Sequence, residues 1–358
     1  MRSATHAIIH LKALAHNVKQ IRLRAPSSKL MAVVKANAYG HGLLRVAQAL
    51  TGLVDGFAVA RVEEGVKLRK AGLNERIVVL EGFVSETELQ YLLAFDLEAS
   101  LHASHQLTIL TNAAPSSKAL GIWLKIDTGM NRLGFKPTEV PEVYQHLIDL
   151  KNVKKPLHFM SHFANADDTQ DSKTQTQLAR FNELTFAYDG EKSIANSAGI
   201  LGWPSAQKDW VRTGLLLYGI SPFFTSTGAD LSLQPLMSLH SRIIAIREVA
   251  AGETVGYSST WTSPKTTKLG VIAIGYGDGY PRQAKNGTPV LINGYRAPIV
   301  GRVSMDMITV DLGLQSSVNI GDTVTLWGDG LPVEEIATWA NTIPYTLVCG
   351  ITQRVAMF

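Results

Sequence analysis

Cysteine is almost missing from this chain: Cys349 is the only one among 358 residues. An intramolecular disulfide is therefore excluded, and the composition fits a reducing compartment. Long apolar runs are missing too. No stretch approaches the ~20 residues that a membrane span needs. Residues 1–10 carry neither the apolar core nor the cleavage pattern of a secretory leader. Runs of one charge are equally scarce. The net charge is only +4, with 34 basic and 30 acidic residues interspersed, so no concentrated basic face is offered to a nucleic acid. No metal-ligand set is assigned. These absences predict a cytoplasmic protein with neither a membrane nor a nucleic-acid partner. What the chain has in quantity is core, with 46% hydrophobic residues against 18% charged. That suffices for one large and one smaller domain, or two of medium size.

From residue 11 to about 220, short apolar runs alternate with longer amphipathic ones. An opening helix at 11–24 is followed by expected strands at 30–36, 56–60, 76–82, 97–101, 120–127, 155–161, 193–196 and 210–217. Helical patterns occupy most of the gaps. Eight strands with helices between them is the count of a (β/α)8 TIM-type barrel; a doubly wound open sheet usually stops at five or six. After Pro222 the pattern changes to short strands separated by Gly, Pro and Asp turns, at 236–249, 268–274, 289–292, 299–303, 307–312 and 323–327. Only 333–342 reads as a helix there, and 346–351 reads as a buried strand that makes Cys349 inert. The expected organisation is an N-terminal strand (1–10) associated with the C-terminal domain, a barrel (11–227), and a mainly antiparallel β domain (228–358).

The most informative residue is Lys35. The apolar run Leu30 to Val34 suits a buried parallel strand, and it stops on this amine. Ala36-Asn37-Ala38-Tyr39-Gly40-His41-Gly42 and then a helical pattern follow. An amine at the rim of a buried strand is poorly solvated, which lowers its pKa and makes it a usable nucleophile. The ordinary alternative is a cation that snorkels to water. Barrel chemistry gathers at the C-terminal ends of the strands. Those ends carry Lys35 and Tyr39, then Lys125, Asp127 and Arg132, then His162, then Asn196 and Ser197, and finally Arg212 and Gly214. A single polar residue at a strand end simply meets water. Lysine, histidine and arginine converging on one rim are harder to dismiss.

The segment from Lys35 to Gly42 closely resembles the lysine segment of bacterial alanine racemases, enzymes that use pyridoxal 5'-phosphate (PLP). The resemblance continues through Ile126-Asp127-Thr128-Gly129-Met130-Asn131-Arg132-Leu133-Gly134-Phe135, Ser161-His162-Phe163-Ala164, Asn196-Ser197-Ala198-Gly199 and Val211-Arg212-Thr213-Gly214. In the second domain it covers Val255-Gly256-Tyr257-Ser258, Gly275 to Arg282, and Gly301 to Asp306. Eight motifs in order are far more specific than any one of them.

The resemblance implies a PLP-dependent racemase that interconverts L- and D-alanine with two bases on opposite faces of the cofactor. Lys35 would hold PLP and serve as one base; Tyr257 of the partner subunit would be the other. A phenol is a poor base at neutral pH, and lowering its pKa by about three units requires about 4 kcal/mol of differential stabilisation. His162, backed by Arg212, would supply it. An isolated tyrosine is otherwise an ordinary half-buried strand residue. Arg212 would also face the pyridine nitrogen, where a guanidinium keeps its proton and leaves the cofactor a weaker electron sink. A salt bridge to Asp209 is the plainer alternative for that arginine. Tyr39, Ser197, Gly214 and Leu215 would hold the phosphate, the glycine letting main-chain N–H groups approach it.

Arg132 would contact the substrate, as would the partner subunit's Met305 and the partner subunit's Asp306; the partner subunit's Tyr276 would narrow the pocket, and Arg282 and Arg302 would line the entrance. Lys125 matches a lysine that some members carry as a carbamate; an unmodified lysine in a salt bridge is the alternative. Two positions depart from the family pattern. Gln353 stands where many members have a tyrosine that reaches the phosphate, and Ser193 where some place a histidine behind the arginine. The implied assembly is a homodimer with shared sites, serving D-alanine supply for peptidoglycan or alanine catabolism. A decarboxylase of the same fold would need Cys349 as its catalytic cysteine, and a PLP carrier would need no second base.

Overall fold

Strand β1 (His6–Ile9) precedes helix α1 (Lys12–Arg24), and eight strands then close into a parallel barrel. They are β2 (Lys29–Val33), β3 (Gly56–Val59), β4 (Arg76–Val79), β5 (Glu98–Leu101), β6 (Ile122–Lys125), β7 (His158–Met160), β8 (Lys192–Ser193) and β9 (Trp210–Thr213). The ring closes through β2 and β9, with Lys29 opposite Trp210 and Met31 opposite Arg212. The computed structural model describes residues 4–114, 118–314 and 316–358, so the first three residues of the expected N-terminal segment lie outside the described residues.

Helices follow from the 3.6-residue period. In Leu43–Leu50 the buried positions are Leu43, Val46, Ala47 and Leu50, one face of a helix. Each large apolar side chain on such a face contributes about 1.5–3 kcal/mol when fully buried. A helix at Ser104–Asn112 was not foreseen in the sequence. Its apolar positions are few, and only Gln106 and Leu110 are buried.

The chain divides into two compact units, one comprising Ala15–Ala38 and Gly42–Leu217, the other Met1–Leu14, Tyr39–His41 and Tyr218–Phe358. The second is built on the long strand β10 (Met237–Val249), which pairs antiparallel with β1, with Thr267–Ile272 and with Thr323–Trp327. β1 pairs in parallel with Ala356–Met357 on its other side.

Three expected elements are corrected. The strand expected at 210–217 stops at Thr213 and gives way to a 3-10 turn, Leu215–Tyr218. The strand expected at 299–303 is displaced to Tyr295–Pro298, because Asn293 and Gly294, both at positive φ (50° and 82°), form a two-residue hairpin turn with Pro289–Ile292. The segment expected as a buried strand at 346–351 is largely a helix, Pro344–Cys349, with Pro344 at its first turn and only Leu347 and Val348 buried. Cys349 is exposed, so the expectation of a buried, inert thiol fails.

Candidate active site

Side-chain direction along the barrel strands is set by their period of two. Near the N-terminal end, Lys29, Arg76, Glu98, Trp123, His158, Glu191 and Trp210 contact one another and so share the barrel interior. Two residues further along, Ser100, Lys125, Met160, Ser193 and Arg212 point the same way. Lys35 and His162 come next, at the C-terminal rim.

Lys35 does not end a strand directly. It opens a single turn of left-handed helix, in which Ala36 (φ 53°, ψ 53°), Asn37 (55°, 42°), Ala38 (54°, 53°) and Tyr39 (φ 52°) are followed by Gly40 (φ 81°). Left-handed backbone costs about 1–2 kcal/mol per residue that carries a Cβ, so the surroundings must hold this turn. Ala38 N donates to Val34 O (2.9 Å), Gly42 N to Asn37 O (2.9 Å) and Leu43 N to Asn37 Oδ1 (2.9 Å). Ala36 N donates to Glu64 Oε1 at 2.8 Å. Gly40 is required as glycine, because a Cβ there would sit 2.1 Å from Val348 O.

Arg212 is buried and tied on several sides. Its Nη1 donates to Ser193 Oγ at 2.7 Å, and its Nη2 to Ser161 O at 2.6 Å and to His162 Nδ1 at 3.2 Å. Asp209 is not its partner; that carboxylate accepts from Lys192 N. Burial lowers the guanidinium pKa to about 10, which still leaves it protonated near neutrality. His162 is pushed well below its ordinary value, first by burial and then by the charges of Arg212, Lys125, Arg132 and Lys35. The imidazole is therefore neutral. Since Nδ1 accepts from a guanidinium that can only donate, the proton sits on Nε2.

The same crowd acts on the two lysines. Lys35 is lowered by burial and by Arg132 and Arg212, against the opposing carboxylates of Glu81 and Glu64. Lys125 is lowered to about 7 by burial, Arg212, Arg132 and Lys35, with Asp127 opposing. Asp127 Oδ1 accepts from the amides of Gly129, Met130 and Asn131, each at 3.0 Å. This carboxylate shapes the loop that carries exposed Arg132. Gln177, 1% exposed, stitches that loop to the next: Nε2 donates to Thr128 Oγ1 and His162 O, and Oε1 accepts from Ala164 N. Ser197 Oγ accepts from Gly214 N at 3.1 Å, which leaves its own hydroxyl proton free to donate to a ligand. Leu215 is buried beside Gly214.

Tyr39 packs its ring against Tyr218 (4.7 Å) and Tyr345 (5.6 Å), and burial pushes its phenol pKa up, so it remains a donor.

The second unit gathers its own group. Tyr257, 70% exposed, stands on a 3-10 turn between Gly256 (φ 73°) and Ser258 (φ 61°) rather than in a half-buried strand. Tyr276 N donates to Ser304 O and Gly277 N to Met305 O, which joins the 275–282 and 301–306 motifs. The Arg282 guanidinium lies 5.9 Å from the Tyr276 ring centroid. Arg302, Met305, Asp306 and Gln353 are exposed.

The structure thus collects Lys35, Lys125, Arg132, His162, Ser197, Arg212 and Gly214 in one unit and Tyr257, Tyr276, Arg282, Arg302, Met305 and Asp306 in the other. Sequence reasoning missed Glu64, Gln177 and Arg354. Arg354 pairs with Asp306 at 2.7 Å and with Asp278 at 3.3 Å, so Asp306 is already engaged by a cation of its own chain. Neither Glu64 nor Gln177 stands at a strand end; both project from helices, where a polar residue gives no signal of a buried role.

A closed barrel whose rim holds a depressed lysine, a buried arginine and a neutral histidine, joined in sequence to an antiparallel β unit, defines a barrel protein with a cation-rich rim at the C-terminal ends of its strands. Comparison with known proteins specifies which. The model of the alanine racemase N-terminal domain matches residues 9–222, and that of the C-terminal domain matches residues 236–358. The chain is 51% identical to the alanine racemase of Aliivibrio salmonicida over 355 residues, 99% of each protein. The biosynthetic alanine racemase of Pseudomonas aeruginosa superposes with a TM-score of 0.96 at 41% identity, covering 100% of this chain and 99% of that one. An alanine racemase from Bartonella henselae with covalently bound pyridoxal phosphate superposes with a TM-score of 0.89 at 29% identity, covering 99% of both. The chain belongs to the alanine racemase family.

Proposed function

We propose that this protein racemises alanine, with PLP held on Lys35 and with Lys35 and the partner subunit's Tyr257 as the two bases. One observation carries the reading: a neutral His162 accepts from the buried Arg212 beside an amine of depressed pKa. The donor set fits the cofactor. Ser197 retains a hydroxyl proton, Tyr39 a phenolic one and Leu215 a main-chain N–H, each of which suits a phosphate; the Gly214 N–H is taken by Ser197 Oγ, so Gly214 would contribute by its lack of a side chain. The contacts of Arg212 use its Nη atoms and leave Nε–H for a pyridine nitrogen that it cannot protonate. Bound PLP acidifies the Cα proton of the amino acid joined to it.

The remaining work belongs to the chain. Lys35, its pKa lowered by burial and by Arg132, takes or returns a proton at Cα on one face. The Nε2–H of His162 is the donor that stabilises a phenolate on the other. The positive charge that lowers the phenol pKa is Arg212, acting through a neutral ring rather than through an imidazolium. Arg132, on the loop shaped by Asp127, binds the carboxylate. The partner subunit's Met305 and the partner subunit's Asp306 bound the substrate, and the partner subunit's Tyr276, with Arg282 and Arg302, its entrance; within each chain Arg354 holds Asp306. Lys125, near neutrality in its pKa, is in the form that combines with carbon dioxide; a carbamate there would accept from Arg132. A mass spectrum of gently handled protein tests this, and an unmodified Lys125 ends it. The relation to the biosynthetic Pseudomonas aeruginosa enzyme favours D-alanine supply for peptidoglycan in the cytoplasm.

The decisive experiment follows D/L interconversion over a panel of amino acids with Lys35→Ala, Tyr257→Phe and a mixture of both proteins. In a homodimer with shared sites, reassortment restores about a quarter of the wild-type sites. No recovery after verified subunit exchange would rule out the shared site. Release of carbon dioxide instead of racemisation would point to a decarboxylase.

A further inference from the structure

The backbone around Lys35 is held by a residue that belongs to neither the rim nor the strand. Beyond Val34, whose N–H still donates to Ala58 O (2.9 Å), the ladder between β2 and β3 stops and the left-handed turn begins. The carboxylate of Glu64, on the first turn of helix Val62–Lys70, fills the break. Its Oε1 accepts from Ala36 N (2.8 Å), and its Oε2 accepts from Ala60 N (2.9 Å) and Arg61 N (3.2 Å). One side chain thus satisfies three amides at the ends of two neighbouring strands, one of them adjacent to Lys35.

We propose that Glu64 is a positioning residue that fixes the left-handed turn, and with it the aim of the Lys35 amine, by bridging Ala36 to Ala60 and Arg61. The turn's own hydrogen bonds begin at Ala38, and Ala36 N takes no other partner. Without the bridge, the first left-handed residue has no reason to hold its conformation, and the amine loses its fixed origin. A carboxylate suits the task better than a neutral amide, because hydrogen bonds to a charged acceptor are stronger and both oxygens can accept. Glu64 also faces Lys35 as an anion, together with Glu81, against the cations Arg132, Arg212 and Lys125 and the ring of His162.

The test uses Glu64→Gln, Glu64→Asp and Glu64→Ala in the full chain. Three quantities are read: the unfolding midpoint, the rate at which protein stripped of PLP re-forms the borohydride-trappable bond at Lys35, and the pH midpoint of Lys35 acetylation without PLP. Glu64→Gln should unfold within about 4 °C of wild type, re-form the bond about tenfold more slowly, and shift the acetylation midpoint downward. Glu64→Asp keeps the charge but is too short to span both strands, so bond formation slows while the midpoint moves less. Glu64→Ala should show the largest loss of rate. A residue that only supported the fold would lower the unfolding midpoint and leave Lys35 reactivity per folded molecule unchanged; that result, or unchanged rates in all three variants, overturns the proposal. The inference rests on Lys35 as the PLP lysine, which the trapped adduct in wild type checks separately. Acetylation of cofactor-free protein judges Glu64 whichever lysine carries the cofactor.

Discussion

At the N-terminal end of the barrel, Arg76 lies between two carboxylates, Glu98 at 3.0 Å and Glu191, and its guanidinium stacks 5.1 Å from the Trp210 ring. Toward the C-terminal end, Arg212 lies among a hydroxyl, a carbonyl and a neutral imidazole, with no carboxylate partner among the described residues. Both arginines are enclosed, but only the lower one is neutralised. Glu191 also takes Lys29; burial opposes its ionisation, yet the hydrogen bonds from Lys29 and Arg76 bring its pKa down to about 2. Above, burial first and the neighbouring cations second lower the pKa values of Lys35, Lys125 and His162. The lower end holds its own counter-charges, whereas around Lys125 at the upper end the cations outnumber the carboxylates. Perturbed groups gathered where cations outweigh the counter-charge are candidates for a working site.

The widest separation between the two ends should come from Lys35→Ala. Loss of both the cofactor attachment and a base should cut racemisation by about 10⁴-fold or more. The unfolding midpoint should hold or rise, because the substitution removes a poorly solvated cation. Activity that survives would move the chemistry off this rim. Next is Glu191→Ala at the lower end. Removing one partner of an enclosed ion pair costs about 3–5 kcal/mol, and the 22% exposure of Glu191 brings the expected loss nearer 3. Chemical denaturation reads that loss, while KM for alanine in the folded fraction should stay put. A changed KM with unchanged stability would reverse the roles of the two ends.

The contrast between the ends was only half legible in the sequence. Eight apolar runs gave the barrel because parallel strands buried on both faces need continuous hydrophobicity, and the rim residues stood out as polar groups closing those runs. The lower network was invisible for the opposite reason: Arg76, Glu98 and Glu191 begin strands, where charge is expected to meet solvent, and nothing local says that they point inward together. The left-handed turn was invisible too, since alanine at 36 and 38 disfavours that conformation and one of the groups that bind it, the Glu64 carboxylate, is distant in sequence. Cys349 was misread because a β-branched, apolar hexapeptide scores as strand unless Pro344 is weighed as a helix start. Neutral His162 required the geometry itself, since its state follows from burial and from four cations, Arg212, Lys125, Arg132 and Lys35, brought from elsewhere in the chain.

A smaller effect separates the ends by pH. Lys125 titrates at about 7 in the folded protein and at its ordinary 10.5 when unfolded. Between these values the unfolded chain binds the extra proton, so stability rises with pH across that window and is flat below it. In bicarbonate-free buffer Lys125→Met should remove that slope and raise stability at pH 7 by about 2 kcal/mol, less than the full shift implies because water and neighbouring groups relax around a buried amine. Urea titrations at pH 7, 8.5 and 10 measure it. Parallel slopes for wild type and variant would place the amine in contact with solvent.

The smallest expected effect lies on the acid side and at the other end of the barrel. His158 is lowered to about 4 by burial and by Arg76, and its Nδ1 accepts from Glu191 N at 3.1 Å, which fixes it neutral. The unfolded chain takes up a proton near the ordinary 6.5 that the folded one refuses until about 4, so stability contributed here is lost as pH falls through that interval. His158→Gln keeps an acceptor for the Glu191 amide but cannot titrate. It should flatten the acid limb by about 1 kcal/mol between pH 6.5 and 4, after discounting the ideal 1.4 kcal/mol per pKa unit for relaxation. Racemisation, measured at pH 8, should be unaltered, because His158 is already neutral there. If instead the variant changed the pH profile of racemisation and left the acid limb alone, the lower network would be coupled to the rim, and the two ends of the barrel would have to be treated as one electrostatic system.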